Sequence, residues 1–147
     1  MILYLDTSAL VKIYVDEAFR PNVLEAMTSA SIVATHVLSF VEAHAAFARL
    51  QREGKLSAEQ LDALKLNFTQ DWKNYLQVEA APFILHQAAN FVEVFALRAY
   101  DSVHLSAAHY LFKQGKQAVI FACFDRKLNQ AAGVLGLELL QTQQPTS

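Results

Sequence analysis

Four carboxylates fall where a fold could gather them. Asp6 follows the apolar run Ile2–Leu5, and Asp125 follows the apolar run at 119–124. Glu42 comes soon after a third such run, at 31–35, and Asp101 opens the segment "AYDSVHLSAAHY". Two carboxylates ~5 Å apart repel by about 3 kcal/mol at an effective dielectric near 20. Four at one spot cannot all stay ionised at neutral pH without a countercharge. A hard divalent cation supplies it. Mg²⁺ or Mn²⁺ suits the set better than zinc, because no Cys or His accompanies the acids at ligand spacing. Such a cation keeps several waters and meets phosphate oxygens, so the chemistry implied is metal-assisted hydrolysis of a phosphodiester.

Each acid also has a plain structural reading. Helix N-termini favour Asp and Glu, because free N–H groups and the helix dipole stabilise negative charge there. Asp6, Asp101 and Asp125 could be caps or first-turn acids, and Ser39 with Glu42 matches a capping box. That reading does not explain why the acids follow fully apolar strands, where any small polar cap would serve.

The elements that must position these acids can be read from periodicity. Continuous apolar runs, rather than alternating ones, mark strands covered on both faces, as in a parallel sheet between helices. Residues 2–5, 31–35 and 119–124 fit, with weaker strands at 77–80 and 138–141. Helical stretches fill the gaps: "SALVKIYVDE", "RPNVLEAMTSA", residues 37–53 ending at Gly54, and a helix after the Ser57/Gln60 capping box. Others begin at Pro82, run over 100–114 and cover 126–135. Strands alternating with helices predict an α/β/α three-layer sandwich with a central, mainly parallel sheet. In such sheets ligands bind beyond the carboxyl ends of the strands, which is where the acids fall.

Composition bounds the rest. A chain of 147 residues, 54% hydrophobic, suits one domain at 1–141, with the polar tail 142–147 expected to be flexible. No apolar run approaches the ~20 residues that span a bilayer, and no signal peptide is legible, so a cytoplasmic protein is expected. The single cysteine, Cys123, excludes an internal disulfide and a multi-thiolate zinc site. A net charge of −2 gives no general attraction to nucleic acid; a polyanionic substrate would need local basic residues or metal ions.

With the acids in view, the sequence resembles a PIN domain, specifically the VapC-type toxins of type II toxin–antitoxin pairs. The matching segments are "LYLDTSAL", "SFVEAHAAFARL", "LRAYDSVHLSAA" and "FACFDRKLNQAAGVLGLEL", in the family's order and across nearly the whole chain. The resemblance implies a PIN-like fold and a Mg²⁺- or Mn²⁺-dependent endoribonuclease whose metal site is Asp6, Glu42, Asp101 and Asp125. It implies that Ser8 supports the site from behind the first acid. A VapB-like antitoxin and a homodimer follow as expected partners. His36 and Cys123 depart from the family pattern, standing where relatives often have a small hydroxyl.

Other residues carry weaker signals. Arg49 lies seven residues after Glu42, on the same helix face and about 10 Å further along. With Arg52 and Lys55 it could meet an RNA backbone, or simply suit a helix C-terminus. Lys12, Arg126 and Lys127 lie near the first and last acids and admit the same two readings. Asn129, four residues after Asp125, could hydrogen-bond a ligand carboxylate. His104, three residues after Asp101, reads as a half-buried packing histidine rather than an acid–base group. Phe68, Trp72, Tyr75, Phe91 and Phe95 fall at core spacing. Two rivals to the nuclease remain: a non-catalytic PIN scaffold that binds RNA or protein, and an aspartate-based phosphotransfer domain. The second lacks another acid two residues after Asp6 and a strand-end lysine.

Overall fold

The computed structural model describes residues 1–140. The stretch 142–147, expected as a flexible tail, lies outside them. Five strands form one sheet: β1 (Ile2–Leu5), β2 (Ile32–His36), β3 (Leu76–Val78), β4 (Val119–Ala122) and β5 (Glu138–Leu139). Their order is β3-β2-β1-β4-β5, and every pairing is parallel. Among the described residues seven helices accompany them: α1 (Thr7–Tyr14), α2 (Arg20–Ser29), α3 (Ser39–Arg52), α4 (Ala58–Trp72), α5 (Pro82–Phe95), α6 (Ala99–Lys113) and α7 (Arg126–Val134).

The central strand shows why its sequence does not alternate. Ile2 and Tyr4 enter a core with Ile84 and Phe91 of α5, Leu105 of α6 and Leu128 of α7. Leu3 and Leu5 enter a second core with Leu10 of α1, Val23 of α2, Phe47 of α3 and Phe68 of α4. Both faces of β1 are dry, so both sets of side chains must be apolar. The result is the expected α/β/α sandwich, with α1 to α4 on one side and α5 to α7 on the other. Among the described residues no helix is long and apolar enough to cross a membrane.

Local signals account for most element ends. The Ser57/Gln60 capping box is present in both directions. Gly54, Gly115 and Gly136 follow α3, α6 and α7 with positive φ, a conformation that L residues with a Cβ avoid. One expected cap is wrong. Residue 38, not Ser39, is the N-cap of α3, and Ser39 is the first helical residue. The Thr35 hydroxyl donates its one proton to the Leu5 carbonyl at 2.7 Å, so Ser39 Oγ, at 2.8 Å, donates to Thr35 Oγ1 and is held against β2. Glu42 is therefore not spent on capping.

Candidate active site

The chain leaves β1 toward β2 on one side of the sheet, while β4 pairs on the other side. This switch of direction opens a crevice at the carboxyl ends of β1 and β4, the usual ligand position in open parallel sheets. Asp6 directly follows β1, and Asp125 follows β4 after two residues. Each is the N-cap of the next helix: Asp6 Oδ1 accepts from the Ala9 N–H at 2.9 Å, and Asp125 Oδ1 accepts from the Leu128 N–H at 2.8 Å. Capping thus uses one oxygen of each carboxylate, and the second oxygen of each takes no part in the cap. Ser8 Oγ donates to Asp6 Oδ1 at 2.7 Å, the support expected of that hydroxyl.

Asp101 and Glu42 are not caps. Asp101 is the third residue of α6, whose N-cap, Arg98, makes no side-chain capping bond. The Arg98 guanidinium instead straddles two acids: Nε is 3.6 Å from Asp101 Oδ2, and Nη2 is 3.9 Å from Asp125 Oδ2. Its side chain is 86% exposed. A side-chain cation thus sits between these two carboxylates, held by long contacts and open to solvent.

Glu42 meets a different environment. Thr7 Oγ1 donates to Glu42 Oε1 at 2.9 Å, and His104 Nε2 stands 3.4 Å from the same oxygen. His104 also contacts Thr7 Oγ1 at 3.2 Å and the Tyr4 hydroxyl at 2.9 Å. His104 is buried and hydrogen-bonded on both ring nitrogens, which exceeds the packing role expected from the sequence. Tyr4, Thr7 and Arg98 were not singled out by sequence reasoning. Thr7 and Tyr4 lay inside the quoted "LYLDTSAL", and Arg98 inside "LRAYDSVHLSAA".

The electrostatics tie the acids together. Burial pushes the Asp6 carboxyl above its ordinary value; Asp101 adds to the rise, while His104, the Ala9 N–H and Ser8 oppose it. Burial also raises Asp101, and the charge of Asp125 adds to that, with Arg98 and His104 opposing. Glu42 goes the other way. Burial pushes it up, but the hydrogen bond from His104, the charge of His104 and the bond from Thr7 hold it below its ordinary range. His36, fully buried beside His104, is lowered to about 4, chiefly by burial and then by His104. Burial likewise raises the Cys123 thiol, so it is not a nucleophile.

The remaining candidates separate. Asn129 Nδ2 donates to the Cys123 carbonyl at 3.0 Å, which ties down the turn before Asp125 and reaches no acid directly. Lys12 pairs with Glu17 at 3.1 Å and lies over the Phe124 ring, so its charge is committed within the chain. Arg49 and Arg52 line an open groove of about 660 Å³ that also takes in Thr7 and Ser8. Arg49 and Lys55 share Glu53, at 2.9 and 3.4 Å.

The donor set suits a hard cation in its chemistry: all-oxygen, carboxylate-rich and mutually repelling. Arg98 stands in for such a cation between Asp101 and Asp125. Among the described residues, no three acidic, histidine or cysteine side chains are arranged to hold a metal ion.

The PIN domain family model matches residues 3–134, which spans the whole rim. The chain belongs to the PIN domain family. It is 25% identical over 142 residues to Ribonuclease VapC45 of Mycobacterium tuberculosis (strain CDC 1551 / Oshkosh), covering 97% of this chain and 96% of the relative. The same figures hold for Ribonuclease VapC49 of Mycobacterium tuberculosis (strain ATCC 25618 / H37Rv). Among solved structures, FitAcB from Neisseria gonorrhoeae superposes with a TM-score of 0.66 at 17% identity, covering 96% of this chain and 97% of that one. VapBC2 from Rickettsia felis, bound to a DNA fragment from their promoter, gives 0.63 at 14% identity, covering 95% and 97%. These PIN and VapBC-type likenesses agree with the family and fold expected from the four motifs.

Proposed function

We propose that this protein is a Mg²⁺- or Mn²⁺-dependent endoribonuclease that hydrolyses RNA phosphodiester bonds as the toxin of a VapBC-type pair. The observation that carries this reading is electrostatic. One guanidinium, that of Arg98, lies 3.6 Å from Asp101 and 3.9 Å from Asp125, and burial raises Asp6 and Asp101, with the charge of Asp125 adding to Asp101 and that of Asp101 adding a little to Asp6. The likeness to two proteins named as VapC ribonucleases, over nearly the full chain, supports the substrate class.

In this reading Asp6, Asp101, Asp125 and Glu42 hold the metal. When bound, the metal supplies Lewis-acid charge for the scissile phosphate and a water activated at neutral pH. The chain's own contribution is orientation. Ser8 and the Ala9 N–H fix one oxygen of Asp6, Leu128 N–H fixes one of Asp125, and Thr7 fixes one of Glu42. Arg98, exposed at the rim, supplies a guanidinium for a phosphate oxygen once it releases the two acids. Arg49 and Arg52 attract the departing RNA backbone along the groove that begins at Thr7 and Ser8. A VapB-like antitoxin that blocks this rim, a homodimeric toxin and a cytoplasmic location belong to the same reading.

One observation favours the rival, a PIN scaffold without catalysis: no three ligating side chains are gathered for a metal among the described residues. A cleavage assay separates the two. RNA cut in Mn²⁺, uncut in EDTA and uncut by the Asp6→Asn and Asp101→Asn variants supports the nuclease. A folded protein that neither cuts RNA nor binds Mn²⁺ at millimolar concentration supports the scaffold.

A further inference from the structure

The buried contacts behind Glu42 have a direction. Tyr4 is fully buried, and a phenol carries its proton at neutral pH. A buried O–H needs an acceptor. The acceptor in reach is His104 Nδ1, at 2.9 Å. The charge by which His104 lowers Glu42 belongs to the protonated ring; in the neutral ring a nitrogen that accepts cannot also carry a proton, so the proton sits on Nε2. Nε2–H faces Thr7 Oγ1 at 3.2 Å and Glu42 Oε1 at 3.4 Å. Thr7 in turn donates its hydroxyl proton to Glu42 Oε1 at 2.9 Å. Every proton is used once and in the same sense: Tyr4 to His104, His104 to Thr7, Thr7 to Glu42.

The chain joins four elements, of which β1 and α1 are consecutive while α3 and α6 are remote from them in sequence. Tyr4 is on β1, Thr7 opens α1, Glu42 is on α3 and His104 is on α6. It crosses from one hydrophobic core to the rim and ends on a single carboxylate oxygen. His104 is only 4% exposed and its bond with Tyr4 is buried, so water does not compete there. Chains of this kind polarise one another and lock rotamers, because an unpaired buried polar atom is costly. We infer that Tyr4, His104 and Thr7 are positioning residues that fix the orientation of Glu42 through one directed hydrogen-bond chain. The inference deepens the nuclease reading and rests on it only for the consequences in activity.

Nitrogen-15 NMR of the histidine ring in the full-length protein, without metal or RNA, tests the direction itself. The expected result is an unprotonated Nδ1 and a proton held on Nε2 of His104. In Tyr4→Phe, which removes one oxygen atom, Nδ1 loses its donor and the ring becomes a mixture of tautomers. A proton on Nδ1 in the unmodified protein, or a tautomer indifferent to Tyr4→Phe, overturns the inference. For activity, Tyr4→Phe and Thr7→Val each lower kcat for Mn²⁺-dependent RNA cleavage by roughly three- to tenfold, with KM little changed. His104→Gln, which keeps an N–H near the place of Nε2, retains more activity than His104→Leu. Equal losses in those two folded variants argue against positioning. If His104→Leu does not fold, Tyr4→Phe and the ring spectrum still decide. If even the unmodified protein cuts no RNA, the nuclease reading fails, while the spectrum judges the chain independently.

Discussion

Glu42 and Asp101 bring the same functional group to the same rim, yet they are held by opposite means. Glu42 is surrounded by donors, from Thr7 and from His104, and its carboxyl is held below its ordinary range. Asp101 is raised by burial and then by the charge of Asp125, against a loose ion pair with an exposed arginine. The first carboxylate is satisfied by the fold itself. The second is left in need of a cation, and with Asp6 it carries a cost the fold does not recover internally. The difference teaches that one half of the rim is satisfied by hydrogen bonds from the fold, while the other keeps its charge against burial and a like-charged neighbour. Arg98 covers that half for the present.

Substitutions should separate the two halves by size and sign. The largest effect is expected at the unsatisfied side: Asp101→Asn and Asp6→Asn lower RNA cleavage by about three orders of magnitude, in a single-turnover assay with Mn²⁺. A loss under tenfold in both would break the comparison. Glu42→Gln, which keeps an acceptor for Thr7 but drops the charge, should cost less, on the order of thirtyfold in the same assay. Arg98→Gln sharpens the picture because two effects should oppose. Mn²⁺ binds a few times tighter by calorimetry, since a competing cation is gone, while binding of RNA in a filter assay weakens a few times. Changes of the same sign would rule out Arg98 as both countercharge and phosphate contact.

Stability should divide along the same line. Asp6 and Asp101 have folded values above their ordinary 3.8. The folded state then binds more protons than the unfolded one between 3.8 and the raised values, so these two acids favour folding increasingly as pH falls through that window. At neutral pH they oppose folding. Glu42, held below its ordinary 4.5, contributes stability above 4.5 that is lost as pH falls through its lowered value. In EDTA, Asp101→Asn should therefore raise Tm at pH 7 by about 2–4 °C, an advantage that shrinks toward pH 4. Glu42→Gln should lower Tm at pH 7. Thermal melts by circular dichroism across that range check both signs.

The fold was readable because its evidence is local. Residues 2–5 are apolar at every position, and only a strand covered on both faces asks for that. Asp6 and Asp125 were readable for the same reason, as charges that end such runs. The reading of Ser39 and Glu42 as a capping box failed because Thr35, on the preceding strand, claims the serine hydroxyl. The chain behind Glu42 was not legible at all. Tyr4 and His104 are 100 residues apart in sequence, and each by itself reads as a core residue. Arg98 reads as a surface cation, and only the fold brings the end of β4 beside it.

The central claim is that the unsatisfied half of the rim is a metal site. Calorimetric titration of the full-length protein with Mn²⁺ tests it most directly, alongside Asp101→Asn and with folding checked by circular dichroism. The account predicts saturable binding at millimolar concentration or below, lost in Asp101→Asn. Binding of equal strength in the two proteins, or none in the unmodified one, would contradict it.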